Sequence, residues 1–183
     1  MKRRNFLASA ASVFPVALSQ PFALAIDAPT ASAEAHVVLA AQDRFGEARS
    51  LGFSKIAFKT ATADTSGNLF VIEHSNLKPG GPPLHLHFAQ EEWFYVMEGE
   101  VLFQVGEKRL QLKAGDSVLA PRKVPHAFTA VGEKPAKMLI AFSPAGKMEQ
   151  FFIDAAKENA PLQDAALFAR YDMKLMGPPI KAT

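Results

Sequence analysis

The chain has no cysteine. Disulfides, zinc–thiolate sites and cysteine nucleophiles are thereby excluded, and any metal site must draw on His, Asp or Glu. Tryptophan occurs once and tyrosine twice, against fifteen phenylalanines. Phe brings apolar area with no polar handle. Such a skew suits a greasy barrel interior or ligand cavity, and equally an ordinary Phe-rich core. An excess of one charge is also lacking. The formal net charge is +2, and Lys2, Arg3 and Arg4 stand at the very start. Without those three, 17 basic residues face 18 acidic ones, which is not the basic footprint of a nucleic-acid binder. With 183 residues, 49% hydrophobic and 21% charged, the expectation is one folded domain with a short extension rather than a disordered chain.

The amino-terminal segment reads as an address. Residues 1–25 have a basic start, then a mildly apolar stretch, then Ala23-Leu24-Ala25 as an A-x-A cleavage site. Arg3-Arg4-Asn5-Phe6-Leu7 resembles the twin-arginine export signal of bacteria. Cleavage after Ala33 or Ala35 is the alternative. A membrane span needs about 20 apolar residues, and this segment is interrupted by Ser9, Ser12, Pro15, Ser19, Gln20 and Pro21. The expectation is a cleaved signal, no stable membrane insertion afterwards, and a periplasmic or secreted product. Twin-arginine export carries folded proteins, which suits a cofactor loaded in the cytoplasm.

Residues 26–50 form a leader, loose at its start. From 51 to 143 short strand patterns alternate with turn signals. The apolar runs are Phe53–Lys59, Leu69–Ser75, Leu84–Phe88, Trp93–Met97, Val101–Val105, Arg109–Leu112, Ser117–Ala120, His126–Ala130 and Lys137–Phe142. No helix-length segment separates them, so an all-β sandwich or barrel is expected. Residues 144–183 are expected to be a helical tail. Met148, Phe151, Phe152 and Ala155 share one face of a helix over 146–157. A second helix is expected over 163–173, ending before Gly177-Pro178-Pro179. Both are expected on the outside of the barrel, and they leave a homodimer open.

Residues 85–92 read HLHFAQEE. In a strand, positions i and i+2 share a face about 7 Å apart, so His85 and His87 can converge on one ion. Alone such a pair is a weak signal. Pro82-Pro83 stiffen the approach to it. Glu91-Glu92 open the next apolar strand, and a carboxylate there needs a counter-charge, because burying an unpaired charge is costly. Glu91 is expected at a solvated edge and Glu92 at the ion. His126 opens a further apolar strand.

These residues resemble the cupin superfamily. Its first motif is G-x5-H-x-H-x3,4-E-x6-G. Here His85-Leu86-His87 is followed by four residues, Glu92, six residues and Gly99. That spacing selects Glu92 over Glu91. The second motif, G-x5-P-x-G-x2-H-x3-N, is matched by Gly115, Pro121 and His126. Pro79, Lys123 and Ala130 stand where Gly, Gly and Asn are usual, which affects turn shape more than ligands. The resemblance covers roughly residues 50–143. It implies a double-stranded β-helix, or jelly roll, with three His and one Glu (His85, His87, Glu92, His126) around one divalent metal. Imidazole and carboxylate ligands suit Fe, Mn, Ni, Co or Zn.

The chain looks most like single-domain cupins grouped with quercetin 2,3-dioxygenase. That resemblance implies a dioxygenase acting on a small enolisable substrate, with Glu92 as ligand and base and Phe94, Phe103 and Phe128 as pocket walls. A periplasmic small-molecule or metal carrier without turnover is one alternative. A metal-assisted isomerase or decarboxylase is the other. His36 and His74 fall outside the motif and are expected to be structural or exposed.

Overall fold

A computed structural model of the chain describes residues 35–157 and 160–182. The signal-segment expectation for residues 1–25 lies outside them, as does the cleavage alternative after Ala33. Among the described residues the strands are β1 (Arg49–Ser50), β2 (Lys55–Thr60), β3 (Phe70–Leu77), β4 (Pro83–His87), β5 (Glu91–Glu98), β6 (Glu100–Val105), β7 (Lys108–Lys113), β8 (Ser117–Ala120), β9 (His126–Val131), β10 (Ala136–Ser143) and β11 (Met173–Pro179). Two helices follow β10: α1 (Met148–Ala155) and α2 (Ala165–Arg170).

The strands form two antiparallel sheets. One has six strands in the order β1-β2-β3-β10-β5-β8, the other five in the order β11-β4-β9-β6-β7. They close over a shared interior as a cupin-like jelly roll. Period-2 alternation sets what faces in. In β10, Ala136, Met138, Ile140 and Phe142 are buried and the residues between them are not. Register then lines up inward rows across the six-stranded sheet. Phe70, Phe142 and Glu92 form one row, Ile72, Ile140 and Phe94 the next, and His74, Met138 and Val96 the third. The middle row is wholly apolar; the outer two each carry one titratable group.

Much of the phenylalanine excess resides in this interior. Phe58, Phe70, Phe94, Phe103 and Phe142 are fully buried, each contributing roughly 1.5–3 kcal/mol of burial free energy. Edge-on contacts such as Phe58–Phe70, with ring centres 4.9 Å apart, hold them in register. Gly81 shows why glycine is needed at one close approach. Its φ is +102°, and a Cβ there would fall on the carbonyl oxygen of Phe128.

The tail differs from expectation in two ways. Residues 173–179 are a strand rather than the end of a helix and a loop. β11 pairs with β4, Met173 opposite His87 and Leu175 opposite His85. The Gly177-Pro178-Pro179 sequence that signalled a stop is tolerated because β11 is an edge strand, where a missing N–H can face away from the ladder. The second helix is shorter than expected, starting at an Asp164 cap that accepts a 2.8 Å hydrogen bond from the Ala166 N–H. Nor do the helices lie on the barrel's outside. Met148, Phe151, Phe152 and Ala155 of α1 and Phe168 of α2 line the interior cavity, so the helices cover its mouth. The helical period of α1 was legible; which surface its apolar face would meet was not.

Candidate metal centre

His85 and His87 lie on the same face of β4, and His85 stands directly opposite His126 of β9. Glu92 reaches them from β5, in the other sheet. One donor atom from each of the four lies within 4.8 Å of the other three, and all four residues are buried. Nε2 of His126 is 2.7 Å from Oε2 of Glu92. Nε2 of His87 is 3.0 Å from the same oxygen but lacks the orientation of a hydrogen bond. Several donors crowd one small volume, as ligands around an ion do.

Two further contacts fit an ion. Nδ1 of His85 bonds the Pro83 carbonyl at 2.8 Å, and Nδ1 of His126 bonds the Val124 carbonyl at 2.9 Å. A carbonyl only accepts, so each Nδ1 carries a proton; on a neutral ring Nε2 then keeps a lone pair for an ion, whereas without one the His126 Nε2 donates to Glu92. Backbone carbonyls behind an imidazole are the usual device for orienting a metal-binding histidine. His87 has no hydrogen-bond partner at either ring nitrogen, although it is buried. A buried polar atom without a partner costs roughly 1–3 kcal/mol, and coordination would satisfy one of the two, the Nε2 beside Glu92. The residues present therefore fit a divalent metal, bound by three imidazoles and one carboxylate.

The electrostatics point the same way. Burial, together with the neighbouring His126 and His87, pushes His85 down from its ordinary value near 6.5 to about 3, so its imidazole is neutral. Burial would raise the Glu92 carboxyl. The charge and hydrogen bond of His126 and the close approach of His87 outweigh it and hold Glu92 below the usual carboxylate range. His126 is raised: burial opposes this, but Glu92 beside it wins. The metal-free centre thus pairs an ionised carboxylate with a neutral His85 imidazole and with a His126 that donates to it, a proton that a bound metal would displace. Glu91, one residue earlier, points outward and is bound by Arg122, whose Nε donates to it at 2.5 Å.

The turn after β8 supports His87 from behind. Lys123, where the motif usually has glycine, adopts the left-handed conformation with φ +66°. Its N–H donates to the His87 carbonyl at 2.7 Å. That geometry explains the preference for glycine, and Lys123 meets it at a steric cost.

The centre opens on a cavity of roughly 150 Å³ whose walls are mostly aromatic. Of the expected wall residues, Phe128 lines it, whereas Phe94 and Phe103 do not. Those two pack behind Phe128, with ring centres 5.8 and 6.1 Å from it. Phe53, Phe142, Phe151, Phe152 and Phe168 complete the wall. His74 lines it too; it is buried and bonded to Ser54. Its inward parity with Phe70 and Ile72 was the available signal.

Comparison with known proteins agrees with this geometry. Residues 73–142 match the cupin domain family Cupin_2. An uncharacterized protein of Methanocaldococcus jannaschii is 34% identical over 61 residues, 33% of this chain and 49% of that one. The chain thus spans about half the length of that curated relative. Among solved structures, KdgF from a Halomonas species aligns with a TM-score of 0.52 at 17% identity, covering 61% of this chain and 94% of KdgF. An RmlC-like cupin from Shewanella frigidimarina aligns with a TM-score of 0.53 at 23% identity, covering 63% and 96%. The barrel is a cupin domain in fold, and these matches support the cupin superfamily.

Proposed function

We propose that the chain is a metal-dependent cupin enzyme, a quercetinase-like dioxygenase acting on an enolisable small molecule. The observation that carries this reading is the position of the His85, His87, Glu92 and His126 cluster, three of whose members (His85, His87 and Glu92) line a cavity otherwise walled mainly by apolar side chains. A bound divalent metal would act there as a Lewis acid and lower the pKa of a substrate hydroxyl. Glu92, held ionised, is the acceptor at hand for that proton. Phe128, Phe142, Phe152 and Phe168 keep water from the enolate so formed.

The cavity also bounds the substrate. About 150 Å³ is the volume that accepts a benzene ring in an apolar protein interior. A three-ring flavonol exceeds it, so the substrate is smaller, or α1 and α2 move aside. The test is dioxygen consumption by metal-loaded protein with enolisable compounds of one ring or fewer. Turnover that persists without dioxygen would assign an isomerase or decarboxylase. Stoichiometric binding with no turnover under either condition would assign a carrier.

The export reading is part of the same proposal. Residues 1–25 would be removed and the folded, metal-loaded barrel delivered to the periplasm. Fractionation of the native host followed by an antibody blot tests it; a full-length cytoplasmic protein would overturn it.

A further inference from the structure

His74 sits on β3, two strands across the sheet and four residues along it from Glu92. It is 1% exposed. Its Nδ1 is 2.8 Å from the Ser54 hydroxyl, and its ring is enclosed by Phe53, Phe128 and Phe152. No protein group meets its Nε2, yet the residue borders the same cavity as the metal cluster. A purely structural buried histidine would have both nitrogens satisfied. Here one nitrogen is anchored and the other is left without a partner in an aromatic chamber.

The Ser54 contact makes that nitrogen versatile. When the Ser54 hydroxyl donates to Nδ1, Nε2 carries the proton and donates. When the hydroxyl turns, Nδ1 donates to it and Nε2 accepts. The pair can therefore meet either a hydroxyl or a carbonyl oxygen. Burial pushes His74 down to about 4, so near neutral pH the ring makes a neutral hydrogen bond rather than an ion pair.

We propose that His74, oriented by Ser54, is the second polar anchor of the substrate cavity, and that the ligand is a single-ring molecule bearing two separated oxygen functions, one directed to the metal cluster and one to Nε2 of His74. The inference rests on reading the cavity as the substrate site. Its chemistry is a preference rather than a reaction step. A ligand lacking the second oxygen leaves Nε2 buried and unpaired, which penalises it against one that has it.

Three probes of nearly equal size test this: phenol, resorcinol and hydroquinone. Their binding is measured anaerobically by ligand-observed NMR titration, on metal-loaded and chelator-stripped protein. The wild type is expected to favour at least one diphenol over phenol by roughly fivefold to tenfold, the worth of one hydrogen bond. His74→Phe should erase the preference and keep phenol binding. Ser54→Ala, which frees the ring to turn, should reduce it to about twofold. Where His74→Phe does not fold, His74→Met replaces it, since Met fills irregular gaps. Equal binding of all three probes by the wild type overturns the inference. So does a preference that survives loss of the imidazole, or failure of every probe to bind. The metal reading fails separately: protein that takes up no metal but still shows the His74-dependent preference would overturn that reading alone.

Discussion

The two sheets contribute unequally to the centre. The five-stranded sheet supplies three imidazoles, His85 and His87 from β4 and His126 from β9, while the six-stranded sheet supplies a single carboxylate, Glu92 from β5. The histidine side is prearranged by its own backbone, through the Pro83 and Val124 carbonyls. On the other side Glu92 opens a strand and is flanked by apolar inward neighbours, with Phe142 and Ala120 as its cross-strand partners. One sheet is thus built to hold lone pairs in place, and the other delivers the charge. A metal between them would join the sheets as well as serve chemistry.

Removing the carboxylate should break this arrangement most. Glu92→Ala is expected to lower the metal content of purified protein more than tenfold by elemental analysis and to abolish dioxygen uptake. Stripping the metal from wild type should lower the melting temperature, because a ligand bound only by the folded state stabilises it by mass action. Glu92→Ala should show no such drop.

Next in size is the apolar wall between the two halves. Phe142 is fully buried, stacks on Phe70 and lies at a tilt to the His87 ring. Phe142→Ala should cost about 3–5 kcal/mol of unfolding free energy, read from urea denaturation. An effect below about 1 kcal/mol would show that the interior collapses around the gap.

Acid should act on both sheets through buried neutral histidines. His74 in one sheet and His85 in the other are pushed down to about 4 and about 3. The unfolded chain, with ordinary values near 6.5, binds protons that the native state refuses. Their contribution is complete above pH 6.5 and is lost as pH falls toward about 4 for His74 and about 3 for His85. For His74 alone the loss from pH 7 to pH 5 is about 2 kcal/mol. His126 runs the other way, since its raised value favours the protonated native state at lower pH. Urea midpoints of metal-free wild type and His74→Phe, compared at both pH values, isolate the His74 share.

The smallest effect sharpens the choice between adjacent carboxylates. Glu91→Gln removes an exposed pairing with Arg122, worth at most about 1 kcal/mol. Metal content should be unchanged. A loss of metal here equal to that of Glu92→Ala would overturn the assignment of Glu92 alone.

The strands of the barrel were legible because alternation and turn residues report a half-buried sheet directly. Ser117–Ala120 is found at the expected bounds, and the other runs shift by a few residues at their ends. The four clustered residues were legible through spacing. What spacing could not carry was the third dimension. Phe94 and Phe103 have the same inward parity as true wall residues, and only depth separates them from Phe128. His74 has no motif around it, so its significance depends on Ser54, twenty residues earlier, and on a cavity closed by α1. β11 was hidden because Gly177, Pro178 and Pro179 are poor strand formers wherever a strand has neighbours on both sides; its place at the edge removes the objection.

β11 follows every other strand in chain order, yet it completes the ladder of the strand that bears His85 and His87. During synthesis the edge of β4 must wait, its hydrogen-bonding groups open, until the chain has emerged about ninety residues further on. In that interval the half-built barrel offers an adhesive strand to any other chain. The last strand is therefore also a latch on quality, and a ribosome that stalls before it would release a protein poised to aggregate rather than one merely lacking a tail.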